Sequence, residues 1–248
     1  MIDLFVEALL ALNRILFSNL GLTIIVIGVV SRLIFYPFFA QSIRYSKAMR
    51  ELKPKLDEAK KKYGSDMRKM ATEQSKLFRE HGVSPAAGAI SCVSIIVQIG
   101  VFILLFQSLN RVIASGVETD FLMWDLSQPN AYHLQGIPVP LPGVLVVLTS
   151  ILSFLQAKMT VPAGAEGTPD KKQKKGKENK SSTGDALSSV QGMMTYYIPL
   201  IILFFGTRFP AGLALYWLVS TTFGIIQQYL IGGPGGLKPW LTKLRPAK

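Results

Sequence analysis

Five stretches of this chain are apolar over about the length a helix needs to cross a bilayer, and they leave few architectures open. A helix rises 1.5 Å per residue, so about 20 apolar residues traverse the hydrocarbon. The stretches are Leu20–Phe39, Ala86–Leu109, Leu141–Ala157, Met193–Gly206 and Ala211–Leu230. The third and fourth are short, which either thins the surrounding bilayer or draws polar flanks into the interface. Only "TRFP" (Thr207 to Pro210) separates the fourth from the fifth, so these two form a tight antiparallel pair. The expected fold class is all-α: a polytopic membrane protein with five transmembrane helices.

Composition narrows the function. The chain is 49% hydrophobic and 17% charged, yet it carries a net charge of +12; an ordinary globular domain has about 25% charged residues. A soluble nucleic-acid binder would rarely be so apolar, whereas a membrane protein with one basic side would look like this. The single cysteine, Cys92, excludes an intramolecular disulfide and a Cys-rich zinc site. His81 and His133 are isolated, and no phosphate cradle, dinucleotide turn or H-E-x-x-H pair is present. No metal, no cofactor and no bond-making chemistry are expected, so the protein reads as a non-enzyme.

The Lys/Arg bias of the connecting segments sets the orientation. Residues 41–85 carry twelve Lys/Arg and 158–190 carry seven, while the tail after Leu230 adds four without an acid. The segment Val112–Pro140 has no Lys or Arg, but contains Glu118, Asp120 and Asp125. The N-terminus is therefore expected outside and the C-terminus in the cytoplasm. Before the first span, residues 1–19 have Asp3 and Glu7 where a secretory signal would be basic, and lack an A-x-A-like exit. An amphipathic helix lying on the outer face fits better than a cleaved peptide.

The chain then divides into that helix (1–19), a first span (20–39), a cytoplasmic hairpin (41–85), a second span (86–109) and an outer loop (110–140). A third span (141–157), a basic cytoplasmic loop (158–190), a fourth (193–206) and fifth span (211–230) and a basic tail (231–248) follow. The hairpin places Met49, Leu52, Leu56 and Ala59, then Met70, Leu77 and Phe78, near helical spacing. Gly64 supplies the stop and Asp66 the next N-cap. By contrast "PAGAEGTPDKKQKKGKENKSSTG" is Lys-rich without periodicity and is expected to be disordered.

One residue contradicts the lipid-facing pattern. Arg32 lies in "TIIVIGVVSRLIFYPFF", with its Cα roughly 12 Å below the inner end of the first span. It could snorkel to the inner interface, a marginal reach from that depth. Alternatively it faces a hydrated pocket open to the cytosol, the usual lot of an intramembrane charge. Pro37, one turn later, would kink the helix where such a pocket opens. Gln98, mid-way along the second span, and Gln156, near the inner end of the third, could line the same space or simply hydrogen-bond between helices. Tyr216 and Trp217 read alone as an aromatic belt.

At this point the chain resembles a known family. "FPAGLALYWLVSTTFGIIQQYLI" and "QGMMTYYIPLIILFF" resemble the last two spans of the YidC/Oxa/Alb membrane protein insertases. "RLIFYPFFAQSIRYSKAMRELKPKL" is similar to their first span and hairpin start. "SPAAGAISCVSIIVQIGVFILLF" and "FLMWDLSQP" are similar to their second span and outer loop. Nearly all 248 residues are covered in order, with Ser84 and Ser91 departing from the family's usual Asn and Pro.

The resemblance implies an insertase of the five-span type, without the large periplasmic domain of some members. It would insert and help fold nascent single- and multi-span membrane proteins through a positively charged, hydrated groove. That groove would open to cytosol and lipid but stay closed outside. By motif, Arg32 is the groove charge, Tyr216 and Trp217 face the substrate, and Gln156 is a polar groove position. Gln98 matches a family Gln of unspecified role. Pro37 and Gly64 would be the hinge and hairpin positions. Candidate partners are the ribosome, the Sec translocon, the signal-recognition-particle receptor and membrane lipids, with the monomer as the working unit. The expected location is a bacterial plasma membrane, though a mature thylakoid protein would read similarly. The alternative reading is an anion or solute transporter with Arg32 as its binding charge.

Overall fold

A computed structural model describes residues 2–63, 66–82, 84, 87–133, 136, 139–160 and 195–238. Gly64, residues 161–190 of the basic loop, the first two residues of the expected fourth span and the end of the tail lie outside these. The fold is helical apart from two small β ladders. In chain order the helices are α1 (Ile2–Ile15), α2 (Leu20–Ile34), α3 (Tyr36–Tyr63), α4 (Met67–Glu80), α5 (Ala87–Ala114), α6 (Val144–Thr160), α7 (195–205) and α8 (Ala211–Gly232).

The first helix turns sharply into the second, with an angle of 119° between them. Phe17 and Ser18 adopt left-handed backbone conformations to make the corner, and Asn19 caps α2 by accepting the Leu22 amide. The corner is pinned inside by the Thr23 hydroxyl, which donates to buried Asn13 at 3.1 Å. Helix α1 packs on α5 through buried Leu9, and Asp3 pairs with Arg111 at its start. Leu4, Ile15 and Phe17 remain exposed, the apolar side such a helix would offer to a bilayer surface.

Helix α2 ends at Phe35, and α3 starts at once with Pro37 in its first turn, where its missing N–H costs nothing. The expected first span, 20–39, is therefore two helices. Helix α3 then runs far past the expected span into the hairpin. There Ala48 and Leu52 pack against Leu77 and Phe78 of α4, and Tyr45 stacks on Phe78 with ring centroids 5.5 Å apart. Asp66 caps α4 by accepting the Arg68 and Lys69 amides, which hold its carboxyl below the usual carboxylate range.

Strands β1 (Asp120–Phe121) and β2 (Trp124–Asp125) pair antiparallel, as do β3 (Ala131–Tyr132) and β4 (Leu141–Pro142). These ladders fold the expected outer loop over one end of the bundle. Leu126 is fully buried, and the Leu126 and Gln128 carbonyls accept the Gly212 and Ala211 amides. The free N–H groups at the start of α8 are thus capped by loop backbone, since Pro210 offers no side-chain cap. Beneath the loop lies the main core: Leu20 and Ile24 of α2, Leu105, Leu109 and Val112 of α5, Leu145 and Val146 of α6, and Leu213 to Tyr216 of α8. This is the loop end of the bundle; α3 and α4 leave from the other, hairpin end.

Among the described helices, only the Ile96–Ala114 stretch of α5 is by itself long and apolar enough to cross a membrane. Helices α1 and α2 reach that measure only as a bent pair, and α6 is shorter. The physical reason is visible in α8, whose 22 residues include Ser220, Thr221, Gln227 and Gln228, all buried inside the protein. Polar side chains that face inward lower average apolarity without meeting lipid.

Candidate functional site

The polar residues of four helices converge below the main core. Arg32 sits in the last turn of α2 and is only 8% exposed. Its Nε donates to the Ser220 hydroxyl of α8 at 2.9 Å. The guanidinium lies 4.4 Å from the centre of the Phe39 ring, which α3 brings back beneath it. Across from it is Gly224 of α8. A methyl there would overlap Gln156 Nε2 and stand 3.2 Å from both terminal nitrogens of Arg32. Glycine is what lets the guanidinium, the Gln156 amide and the α8 backbone share this space. Arg32 points into the protein rather than along the helix surface towards an interface.

Beside this group lies a cavity of about 260 Å³, roughly room for several waters. Arg32, Gln98 and Gln156 all line it, from α2, α5 and α6. Three of the expected residues are therefore brought together. Among the described residues, Arg32 is the only charged group on its wall, and no carboxylate pairs with it. The lining continues through Ser42 and Ser46 of α3, Ser94 of α5, Thr160 of α6 and Gln228 of α8. Among the described residues, buried Gln228 finds no hydrogen-bond partner for its Nε2.

Tyr216 and Trp217 are placed differently. The Tyr216 ring is buried in the main core, and its hydroxyl reaches Ser31, Gln98 and Ser220. It forms the boundary between the apolar core and the polar cavity. Trp217, one residue on, packs edge-on against Phe102 of α5 at 5.4 Å and borders a small apolar crevice with α6 and α7. It does not line the Arg32 cavity. Pro37 is exposed on α3, between Arg32 and the lining residues Ser42 and Ser46.

Sequence reasoning missed Ser42, Ser46, Phe39, Ser94, Ser220, Gly224 and Gln228. Phe39, Ser42, Ile43 and Ser46 have i, i+3, i+4, i+7 spacing and so share one face of α3. Assigning residues 41–85 to a projecting hairpin hid that face. Ser220 and Gln228 could have been found by following Tyr216 along α8 in steps of four.

Comparison with known proteins identifies the family of the chain. A family model described as 60Kd inner membrane protein matches residues 12–234, from the end of α1 to the turn after α8. The chain belongs to that family. Within the 60Kd inner membrane protein family, the membrane protein insertase MisCA of Bacillus subtilis (strain 168) is 30% identical over 221 residues, covering 88% of this chain and 72% of the relative. Membrane protein insertase YidC 2 of Bacillus anthracis is 31% identical over 221 residues, covering 88% and 73%. Membrane protein insertase YidC of Fusobacterium nucleatum is 30% identical over 214 residues, covering 86% of each chain. The resemblance carried by the "FPAGLALYW" and "RLIFYPFF" segments is thus correct, and the matched range takes in every helix that lines the cavity.

Proposed function

We propose that this protein is a membrane protein insertase, and that the Arg32 cavity is where the polar end of an incoming chain is held. The observation that carries the reading is a buried cation, Arg32, the only charged group among the described residues that line a cavity reaching Ser46 towards the hairpin end, beneath a loop end filled by side chains. A solute transporter would need a route through that loop end, and the described residues there form a packed apolar cluster capped by the loop.

The mechanism is physical. A short polar tail entering bare hydrocarbon would lose its hydration; in the cavity it meets Arg32, the Gln98, Gln156 and Gln228 amides and several hydroxyls instead. A charge pair at ~4 Å with an effective dielectric of about 20 is worth about 4 kcal/mol, less what desolvation takes back. Partitioning of the substrate's apolar helix into lipid then draws it sideways out of the site. In this reading α2 with the start of α3, α5, α6, α7 and α8 are five spans in a bacterial plasma membrane. The N-terminus and the β ladders lie outside; the α3–α4 hairpin and the tail lie in the cytoplasm. Tyr216 positions the roof of the cavity, and Trp217 meets the substrate's apolar part. The basic hairpin would attract ribosomal RNA or anionic headgroups.

The test is reconstitution. Purified protein in liposomes should promote insertion of a small single-span substrate, scored by protease protection, without passing small anions. Anion uptake with no insertion would replace this reading with the transporter.

A further inference from the structure

The face of α3 that lines the cavity does not stop at Ser46. One turn on, the same face carries Arg50, which is not part of the cavity wall. Its guanidinium reaches across to the ends of two other helices: Nη1 donates to the Met159 carbonyl of α6, and Nη2 to the Gly232 carbonyl of α8 at 2.8 Å. Met159 adjoins the lining residue Thr160, and Gly232 lies one turn beyond the lining residue Gln228. One fork therefore joins the three helices that form the cavity's rim, one turn outside it. Both carbonyls are among the last of their helices, which lack intrahelical partners and carry the negative end of the helix dipole. A lysine, with its single nitrogen, cannot hold both in the same way.

Two neighbours make this a built site. Gly235, in the turn after α8, has φ +54; a Cβ there would overlap the Met159 carbonyl and come 2.7 Å from Arg50 Nη1. The turn is thus folded directly over the fork. Four residues beyond Arg50, inside α3, is Pro54. It has no N–H for the Arg50 carbonyl, so the helix lacks that bond just where its clamped stem meets the outer hairpin.

We propose that Arg50 is a positioning residue that clamps the three helix ends at the rim of the Arg32 cavity, and that displacing the hairpin beyond Pro54 releases the clamp and widens the rim. Displacement of the hairpin thereby controls entry to the cavity. The proposal concerns the rim, and its test does not read insertion, so it can fail while the insertase reading stands, and the reverse.

The experiment uses the full chain in vesicles, with Cys92→Ser and a reporter Gln228→Cys on the buried rim. The rate of reaction with a membrane-impermeant maleimide reports opening. Losing a charge-assisted hydrogen bond shifts such an equilibrium by about tenfold or more. Arg50→Ala should raise the rate by at least that factor, and Arg50→Lys by less. Gly235→Ala, which pushes a methyl between Arg50 and Met159, should act like Arg50→Ala and carries the test if that variant fails to fold. A second reporter, Ser108→Cys, at a fully buried position of α5 next to the core residue Leu109, should not change. Rates at position 228 within twofold of the parent in the folded variants would overturn the proposal. So would equal acceleration at position 108, which would make Arg50 a general stabiliser.

Discussion

Replacing Arg32 by Ala separates electrostatic help from mere room for a polar chain. The guanidinium is fixed in place by the Ser220 hydroxyl at 2.9 Å and by the Phe39 ring at 4.4 Å, and it has no carboxylate partner among the described residues. A substrate carboxylate could therefore approach it directly. The pair is worth about 4 kcal/mol at ~4 Å and an effective dielectric of about 20. Desolvation of the carboxylate offsets part of this; with half surviving, about 2 kcal/mol remains, roughly 30-fold in a crossing rate at 25 °C. The assay is insertion of one single-span substrate into proteoliposomes, with its tail carrying no acid, one acid or two. Arg32→Ala should slow the one-acid tail about 30-fold and the neutral tail less than about threefold. Arg32→Lys keeps the charge but loses the planar fork that bonds Ser220 and lies beside Phe39, and should fall between. Equal slowing of neutral and acidic tails, with the variant still folded, would refute the electrostatic argument and leave Arg32 a packing residue.

Gly224→Ala should act on the same site without touching charge. The added methyl has to displace Gln156 or separate α8 from Arg32, a crowding cost of about 1–3 kcal/mol. It should lower the unfolding temperature and reduce acidic-tail insertion together; a variant with unchanged unfolding and unchanged insertion would contradict the packing described. In the loop between α5 and α6, Asp125 accepts the Ser127 hydroxyl at 2.7 Å, the Ser127 amide at 2.9 Å and the Thr119 hydroxyl at 2.8 Å. These bonds hold its carboxyl below the usual range. Because the folded value lies below the unfolded one, the loop's stabilisation is complete above the ordinary carboxylate range and is lost as pH falls through the lowered value. Protection of the Ser127 amide from hydrogen exchange should drop as pH falls below the ordinary aspartate value, about 4, and Asp125→Asn should remove that dependence. Equal behaviour of the two proteins across this range would count against it.

The parts of the fold readable from the sequence were those carried by local chemistry. Asp66 precedes α4 as a capping residue should, Leu52 and Phe78 meet in the hairpin core as their spacing predicts, and the turn before Pro210 is short because four residues leave room for nothing else. What local chemistry does not carry is harder to see. Pro37 marks a kink, but not that the chain breaks at Phe35 and brings Phe39 back under Arg32, a contact between residues seven apart across two helices. The roof position of Tyr216, and the separation of Trp217 from the cavity, follow from how α8 is rotated against α2 and α5. Adjacent residues on a helix are about 100° apart, so a shared motif assigns them to one site more readily than the geometry does.

The deeper reason the cavity is hard to read lies in the direction of its polarity. An amphipathic helix segregates polar and apolar residues around its axis, and periodicity detects that. Here they are segregated along the axis. Helix α2 buries Leu20 and Ile24 near the loop end and Arg32 near the hairpin end; α8 buries Leu213 and Leu215 before Ser220, Gln227 and Gln228. Helix α6 passes from Leu145 and Val146 to Ser153 and Gln156, and α5, running the other way, from Ser94 and Gln98 to Leu105 and Leu109. Each helix looks merely less apolar than a lipid-spanning one. Side by side, the four polar halves meet in one layer and the four mainly apolar halves, which still bury Thr23, Ser108 and Thr149, in another, with Tyr216 between them. A bundle built this way has a polar layer and an apolar layer that periodicity along any one helix does not reveal. In this arrangement the depth of the cavity is set by how far along each helix the changeover falls, so moving it should move the roof. Gln98→Leu and Ser220→Ala together should extend the dry layer by about one helical turn, roughly 5 Å, and strand Arg32 at its edge. That variant should lose acidic-tail insertion as fully as Arg32→Ala, although the charge is still there; retained insertion would mean that the layering does not govern the site.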